Sequence, residues 1–340
     1  RQAIGVDRGA AQREGEVTSL AVTTAAVFVA FTMVIGALVS LAARFMRRAA
    51  WARASTPWAL SIVLPLVVGF IGCVALVLPT SLTGCHCLTH AHHPHVCLAH
   101  AALAEPLLMP ALALLGVWFV FALPGAIRLT LALLESTGRI RQVRRITPER
   151  VAEIDVRFVD SGMPTAFTAG ALAPVIVFDR ALWAALGERD RNVVLQHERG
   201  HAERGDPLTS LVLRGCLALQ PWLPRSLFSR WKHAAELHCD RHAAEQIGDF
   251  AAAAEALVSV GRLRITTPLP DEALLGVFGA EGLEDRVSAL LDDERGARAS
   301  RRNDVIAILV PALGALALVL VWPGDLLHHA VESVIGLLHR

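Results

Sequence analysis

His197-Glu198-Arg199-Gly200-His201 sets two imidazoles four positions apart, with a carboxylate directly after the first. Arg189 to Arg204 reads as a helix, and on a helix residues four apart stand on one face. His197 and His201 can therefore offer nitrogens to one metal while Glu198 leans beside them toward a water, the pattern of zinc-assisted hydrolysis. Chance is a weak rival, since 14 His and 31 acidic residues in 340 give only about 0.05 expected matches.

Thirty-five positions after His201 comes Glu236-Leu237-His238-Cys239-Asp240, inside a second helical stretch from Ser226 to Ile247. Glu236 is the natural third ligand: two His and one Glu leave a tetrahedral zinc one open position, which marks a catalytic site rather than a closed structural one. Asp240, one turn further on the same face, is placed to accept the outer N–H of a ligating His and fix its tautomer. Taken alone, Glu236 and Asp240 read equally well as a solvated helix face. In the zinc scheme Glu198 takes the proton of the attacking water and returns it to the leaving group. His233, His238 and His242 flank Glu236 and read as solvated histidines or as a transition-state donor. Cys73, Cys216 and Cys239 read as packed small hydrophobes.

These residues resemble the BlaR/MecR-type membrane zinc metallopeptidases, gluzincin-like proteases of bacteria. His197 to Asp206 (HERGHAERGD) is similar to the family's HExxH followed by Arg-x-Asp, and Glu236 to Asp240 is similar to its ExxCD. Trp222-Leu223-Pro224 stands where the family has a Trp-Phe-Asn-Pro-like corner, without the Phe-Asn. Pro164 to Leu182 looks like the glycine-containing turn and strand beside the cleft, and Asp285-Arg286-Val287 precedes a Leu-rich stretch as in relatives. The resemblance covers roughly residues 105 to 322. It implies peptide-bond hydrolysis, one catalytic Zn2+, and a regulatory role in which a cytoplasmic repressor or the protein itself is cut after a signal. A penicillin-binding sensor domain is not recognisable, so β-lactam sensing is not carried over. Two other readings stand beside this one. The first is a membrane quality-control peptidase resembling the CAAX-protease and heat-shock gluzincins, where ExxAD is more usual. The second is a non-catalytic metal sensor or carrier, against which the intact Glu198 argues.

The elements that must position this site lie in an apolar chain. Hydrophobic residues make up 54% and mean hydropathy is +0.48, concentrated in blocks. Val17 to Phe45, Trp58 to Leu82 and Leu107 to Leu134 are long enough to cross a ~30 Å hydrocarbon layer, and Val305 to Trp322 is just long enough. A further run, Leu208 to Leu223, contains Arg214 and is closed by Pro221 and Pro224, which suggests an amphipathic or membrane-apposed helix. The first block is too long and wrongly flanked for a cleaved signal peptide. Arginines retained on the cytoplasmic side orient the spans: Arg44, Arg47, Arg48 and Arg53; Arg139, Arg141, Arg144 and Arg145; Arg295, Arg298, Arg301 and Arg302. The expectation is an α-helical integral membrane protein of about four transmembrane helices with a cytoplasmic α+β gluzincin-like zinc peptidase domain, located in the bacterial inner membrane. Its parts are an outer tail (1–16), three spans (17–134), the peptidase domain (135–303), a fourth span (304–322) and an outer tail (323–340).

Between the second and third spans, a Cys/His-rich loop at 83–104 holds Cys85, His86, Cys87, His90, His92, His93, His95, Cys97 and His100. Imidazole and thiolate suit an additional transition metal; two of the Cys could instead pair, and a flexible loop that chelates adventitiously is the plain alternative. Within the peptidase region, Ile154 to Val159 and Pro174 to Phe178 read as strands, and Ala181 to Leu186 and Ala251 to Leu263 as helices. A small hairpin beside two active-site helices is expected, with an edge strand near Phe167 to Phe178 open to an extended peptide. Gly261 to Pro270 reads as a loop and Asp292 to Arg302 as a charged linker. The net charge of +1 gives no case for a polyanionic partner, and no phosphate-binding loop or nucleic-acid motif is found; the zinc motif and the resemblance imply a protein or peptide substrate, and the apolar blocks imply the lipid bilayer.

Overall fold

The structure is a computed structural model that describes residues 3–46, 53–77, 108–161, 164–265, 276–277 and 282–294. The Cys/His-rich loop, the Val305 to Trp322 block and both expected outer tails, apart from residues 3–16, lie outside the described residues.

Three long helices come first: α1 (Ala3–Met46), α2 (Ser55–Val77) and α3 (Leu108–Arg144). Each is long and apolar enough to cross a membrane, over Val17–Arg44, Ser55–Val74 and Leu108–Arg144. Their polar side chains turn inward on their own backbones, Thr23 donating to Ser19 O (2.8 Å) and Thr32 to Val29 O (2.8 Å). That is how a hydroxyl survives where no water is at hand. The third span was expected to end at Leu134, but α3 runs ten residues further to Arg144. Arg144 then donates to Ala173 O at 2.7 Å, so the span is continuous with a strut that grips the downstream domain.

That domain contains β1 (Glu149–Val151), β2 (Ile154–Val159), β3 (Ala166–Ala169), β4 (Val175–Asp179), α4 (Arg180–Ala185), α5 (Glu188–Arg204), α6 (Asp206–Leu219), α7 (Ser226–Ile247), α8 (Phe250–Ile265), β5 (Gly276–Val277) and α9 (Leu283–Glu294). The strands form one mixed sheet in the order β1-β2-β4-β3-β5, with β2 parallel to β4 and the other pairs antiparallel. The hairpin anticipated from sequence is β3–β4, embedded in this larger sheet. The open edge expected near Phe167 to Phe178 is corrected: β4 is interior, and β3 is already paired at Phe167 and Thr168 with Val277 and Gly276 of β5.

Alternation in β2 buries Ile154, Val156 and Phe158 on one face. They meet Phe178 of β4, Leu182 of α4, Val194 and Leu195 of α5, Leu257 of α8 and Leu290 of α9 in one core. Trp183 stands edge-on to both Phe158 and Phe178 at 5.1 Å. A second core joins spans to domain: Trp58 and Ile62 of α2 pack with Leu213 of α6 and with Leu227 and Trp231 of α7. Polar ties reinforce it, Gln220 Nε2 donating to Ile62 O (3.0 Å) and Arg230 to Ala43 O (3.2 Å).

Two further expectations change. Gly261 to Ile265 is helix, not loop, because the missing side chain lets α9 settle on α8; a Cβ on Gly261 would lie 2.9 Å from Leu283 Cδ2. Asp292 and Asp293 belong to α9 rather than a linker, and Arg241 holds Asp293 with Nε and Nη2 both at 2.7 Å. The apolar run from Leu208 ends as helix at Leu219, whose carbonyl accepts from Trp118 Nε1 of α3 at 2.9 Å.

Candidate active site

Helix α5 presents His197, Glu198 and His201, all buried, toward α7, which presents Glu236 and Asp240, also buried. The two helices approach closely because Gly200 has no side chain: a Cβ there would meet Cys239 Sγ and His242 Cδ2 at 3.3 Å. The glycine between the two His is therefore a packing requirement of the site.

Each imidazole is clamped through Nδ1. His197 Nδ1 lies 2.9 Å from Asp240 Oδ1, and His201 Nδ1 lies 2.7 Å from Asp206 Oδ2. An ionised carboxylate only accepts, so a carboxylate beside each Nδ1 favours a proton there and turns each Nε2 toward a cation, whether a proton or a metal. Those two Nε2 atoms stand 3.1 Å apart, with Glu236 Oε2 3.6 Å from the first and Oε1 3.7 Å from the second. Three acceptors so converged repel one another unless a cation sits between them. Tetrahedral zinc donors at about 2.0–2.1 Å are ~3.3 Å apart, so the donor set fits zinc in both chemistry and spacing. Electrostatics agree: burial alone would lower the His197 pKa, but the bonds and charges of Asp240 and Glu236 outweigh it and hold it at about 9, so positive charge is welcome here.

A second grouping, His201, Asp206 and Cys239, is chemically poorer. Its histidine nitrogen is the one already bonded to Asp206. Burial, with the carboxylates of Asp206 and Glu236, pushes the Cys239 thiol well above its usual pKa and keeps it from becoming a thiolate ligand.

Glu198 is fully buried. Thr168 Oγ1 of β3 lies 2.8 Å from both Glu198 Oε2 and the Glu198 carbonyl, while Oε1 has no hydrogen-bond partner among the described residues. Burial raises the Glu198 pKa against the lowering effect of the two imidazoles. The result is an oriented carboxyl with one free oxygen, suited to taking and returning a proton.

Two residues essential to this geometry carried no role in the sequence. Thr168 is one. The other is Arg286 of α9, fully buried, whose Nε and Nη2 donate to Asp240 at 2.6 Å each and whose Nη1 stands 3.2 Å from Glu236 Oε2. Burial would raise the pKa of Glu236 and Asp240, but the Arg286 charge and the imidazoles overcome it and hold both below the usual carboxylate range. The Asp-Arg-Val string before a Leu-rich helix was the available signal, and it did not name a partner. His233, His238 and His242 stay out of the cleft that His201 and Glu236 line. His233 stands 3.9 Å from Asp285 and His242 3.9 Å from Glu203.

That cleft is partly open to solvent and is lined by Thr168, His201 and Glu236 together with residues of α6 and the first half of α7.

Residues 141–264 match the model of Peptidase family M48, a span that takes in the strands β1 to β4, the HExxH helix and Glu236 to Asp240. No curated protein matches the chain. The chain is a zinc metallopeptidase, a peptide-bond hydrolase.

Proposed function

We propose a membrane-embedded regulatory zinc metalloendopeptidase of BlaR/MecR type, in which His197, His201 and Glu236 hold one zinc, Asp240 and Asp206 orient the imidazoles, and Glu198 is the general base. The observation that carries this reading is the meeting of two Nδ1-clamped imidazoles and Glu236 within 3.1–3.7 Å, beside a carboxyl with one unengaged oxygen. Zinc bound there supplies Lewis acidity to a peptide carbonyl and to water. The protein supplies the rest. Glu198 Oε1 accepts the proton of the attacking water and passes it to the leaving amine nitrogen, while Thr168 keeps the carboxyl from swinging away. Arg286 neutralises Asp240 and Glu236 so that two carboxylates can persist side by side in a dry site.

Regulation is supported by the shared core. Helix α7 carries Glu236, and its first half packs on Trp58 and Ile62 of α2, so a shift of α2 reaches the zinc site through one rigid helix. We place the catalytic domain in the cytoplasm on the arginine flanks, and the Cys/His loop on the opposite face, where a transition metal would be the signal; a repressor is the proposed substrate.

Two variants test the chemistry. Glu198→Gln should keep zinc and lose hydrolysis, and His201→Ala should lose both; hydrolysis by Glu198→Gln at the unsubstituted rate would overturn the scheme. Comparing the proteomes of cells with the unsubstituted chain and with Glu198→Ala tests regulation. One accumulating repressor supports it, whereas accumulation of many damaged membrane proteins assigns the enzyme to quality control. Cys239 is buried and so reports nothing about topology. An impermeant thiol reagent should instead label Cys85, Cys87 or Cys97 under reducing conditions and miss a Cys placed at exposed Glu153; the reverse pattern would invert the protein.

A further inference from the structure

The cleft that His201 and Glu236 line also carries two cations, Arg214 of α6 and Lys232 of α7. Arg214 lies over Phe228, its guanidinium carbon 4.6 Å from the ring centroid, and among the described residues its Nε reaches Ser210 Oγ at 3.4 Å. Lys232 stands one helical turn beyond Phe228 on the same face of α7. Among the described residues neither cation pairs with a carboxylate. The two carboxylates that also line the cleft are engaged elsewhere: Asp206 takes the His201 N–H and Arg204 Nε, and Glu236 faces Arg286 and the two imidazoles.

The position of Arg214 makes this informative. Helix α6 lies against α3, Ala218 Cα coming within 3.5 Å of where a Cβ on Gly125 would stand, and its outer side exposes Leu208, Val212 and Leu219. A guanidinium on so apolar a helix is costly unless it has a charge to meet. Here it is pre-oriented by an aromatic face, half-buried, and turned into the cleft rather than outward with the leucines.

We infer that Arg214, supported by Lys232, binds a carboxylate of the substrate, so that the enzyme selects peptides with an acidic side chain, or a free C-terminus, near the bond to be cut. The inference rests on reading His197, His201 and Glu236 as the metal site, since that makes this cleft the substrate channel. It concerns specificity: Arg214 positions the peptide, and the proton chemistry stays with Glu198. A bidentate guanidinium–carboxylate pair in a partly dry cleft is a strong selector because it combines charge with a fixed planar geometry.

Binding to the zinc-loaded, full-length Glu198→Gln protein in phosphatidylcholine nanodiscs tests it apart from hydrolysis. The probes are short alanine-rich fluorescent peptides in matched pairs, Glu against Gln scanned along the sequence and free C-terminal acid against amide, read by anisotropy. The expected result is a preference of about tenfold or more for the acidic member at one position or at the terminus, and which pair shows it identifies the carboxylate. Added Arg214→Gln should collapse that ratio to near one, and Arg214→Glu should turn the preference toward a Lys peptide, with zinc content confirming a folded site. Lys232→Gln should reduce the ratio in part. No acidic preference in any pair, or a preference that survives Arg214→Gln and Lys232→Gln together, overturns the inference. So does loss of the preference in phosphatidylglycerol nanodiscs, which would assign these cations to lipid headgroups. Hydrolysis and zinc assays on the unsubstituted chain judge the metal-site reading independently.

Discussion

Replacing Arg286 by Met should unfold the site from behind. The side chain is fully buried and meets Asp240 through two bonds of 2.6 Å and Glu236 at 3.2 Å. Met fills a similar volume, so little is lost in packing; what is lost is the guanidinium that faces two buried carboxylates. Removing one partner of a buried ion pair costs about 3–5 kcal/mol, because the remaining charge is stranded without water. For a domain of this size each kcal/mol moves the melting temperature by about 2–4 °C, so the full-length protein should melt roughly 6–20 °C lower. Zinc occupancy should fall as well, since Asp240 no longer has a fixed place from which to hold His197. Arg286→Lys should recover part of the loss, as it restores the charge without the planar fork. Melting is read by intrinsic fluorescence of the protein in detergent, and zinc by elemental analysis. The decisive measurement is the double-mutant cycle with Asp240→Asn: if the charge argument is right, the two changes together cost clearly less than their sum. An additive cycle, or an Arg286→Met protein that melts within about 2 °C of the parent with zinc intact, would refute it.

Other perturbations follow from the same geometry. Thr168→Val removes the hydroxyl that steadies Glu198, and kcat should fall about tenfold or more with KM and zinc content little changed, as expected for one hydrogen bond to a charged group. Trp58→Ala opens the core between α2 and α7 and should destabilise the protein by about 3–5 kcal/mol, measured by thermal or denaturant unfolding. Asp249 caps α8 by accepting from Ala252 N at 2.8 Å, and this bond together with Arg189 lowers its pKa. A carboxyl depressed on folding stabilises above its unfolded value near 3.9 and loses that contribution as pH falls through the lower folded value. Melting of Asp249→Asn should therefore show a shallower decline below about pH 4 than the parent. Stripping zinc with a chelator should abolish hydrolysis and lower the melting temperature, and both should return when zinc is restored.

The convergence of the two histidines was legible because its information is local. A spacing of four on one helix determines that His197 and His201 meet whatever the rest of the chain does, and the bounds of α7, Ser226 to Ile247, could be read directly from sequence. Zinc peptidase chemistry likewise follows from residue types. What escaped depends on contacts between distant elements. Arg286 stands 46 positions from Asp240 and reaches it only because α9 packs on α7 and α8. Thr168 looked like one residue of a strand, and its value lies in facing α5. Gly261 reads as a helix breaker when alone and as a packing notch once Leu283 is laid over it. Pairing partners of strands are nonlocal in the same way, which is why a two-residue strand 107 positions beyond Ala169 could close an edge that seemed open.

Trp58 and Ile62 share one core with Leu213, Leu227 and Trp231, and this has a practical meaning for anyone who would cut the gene. A fragment begun after the third apolar helix keeps every candidate metal-site residue and all but the first four residues of the M48-like region, yet it carries half of a hydrophobic interior turned to water. Such a fragment would aggregate or melt along α7, taking Glu236 with it, and an inactive truncation would say nothing about the chemistry. The unit to express and crystallise is therefore the chain with its long apolar helices, because α1 and α2 complete the interior that α6 and α7 begin.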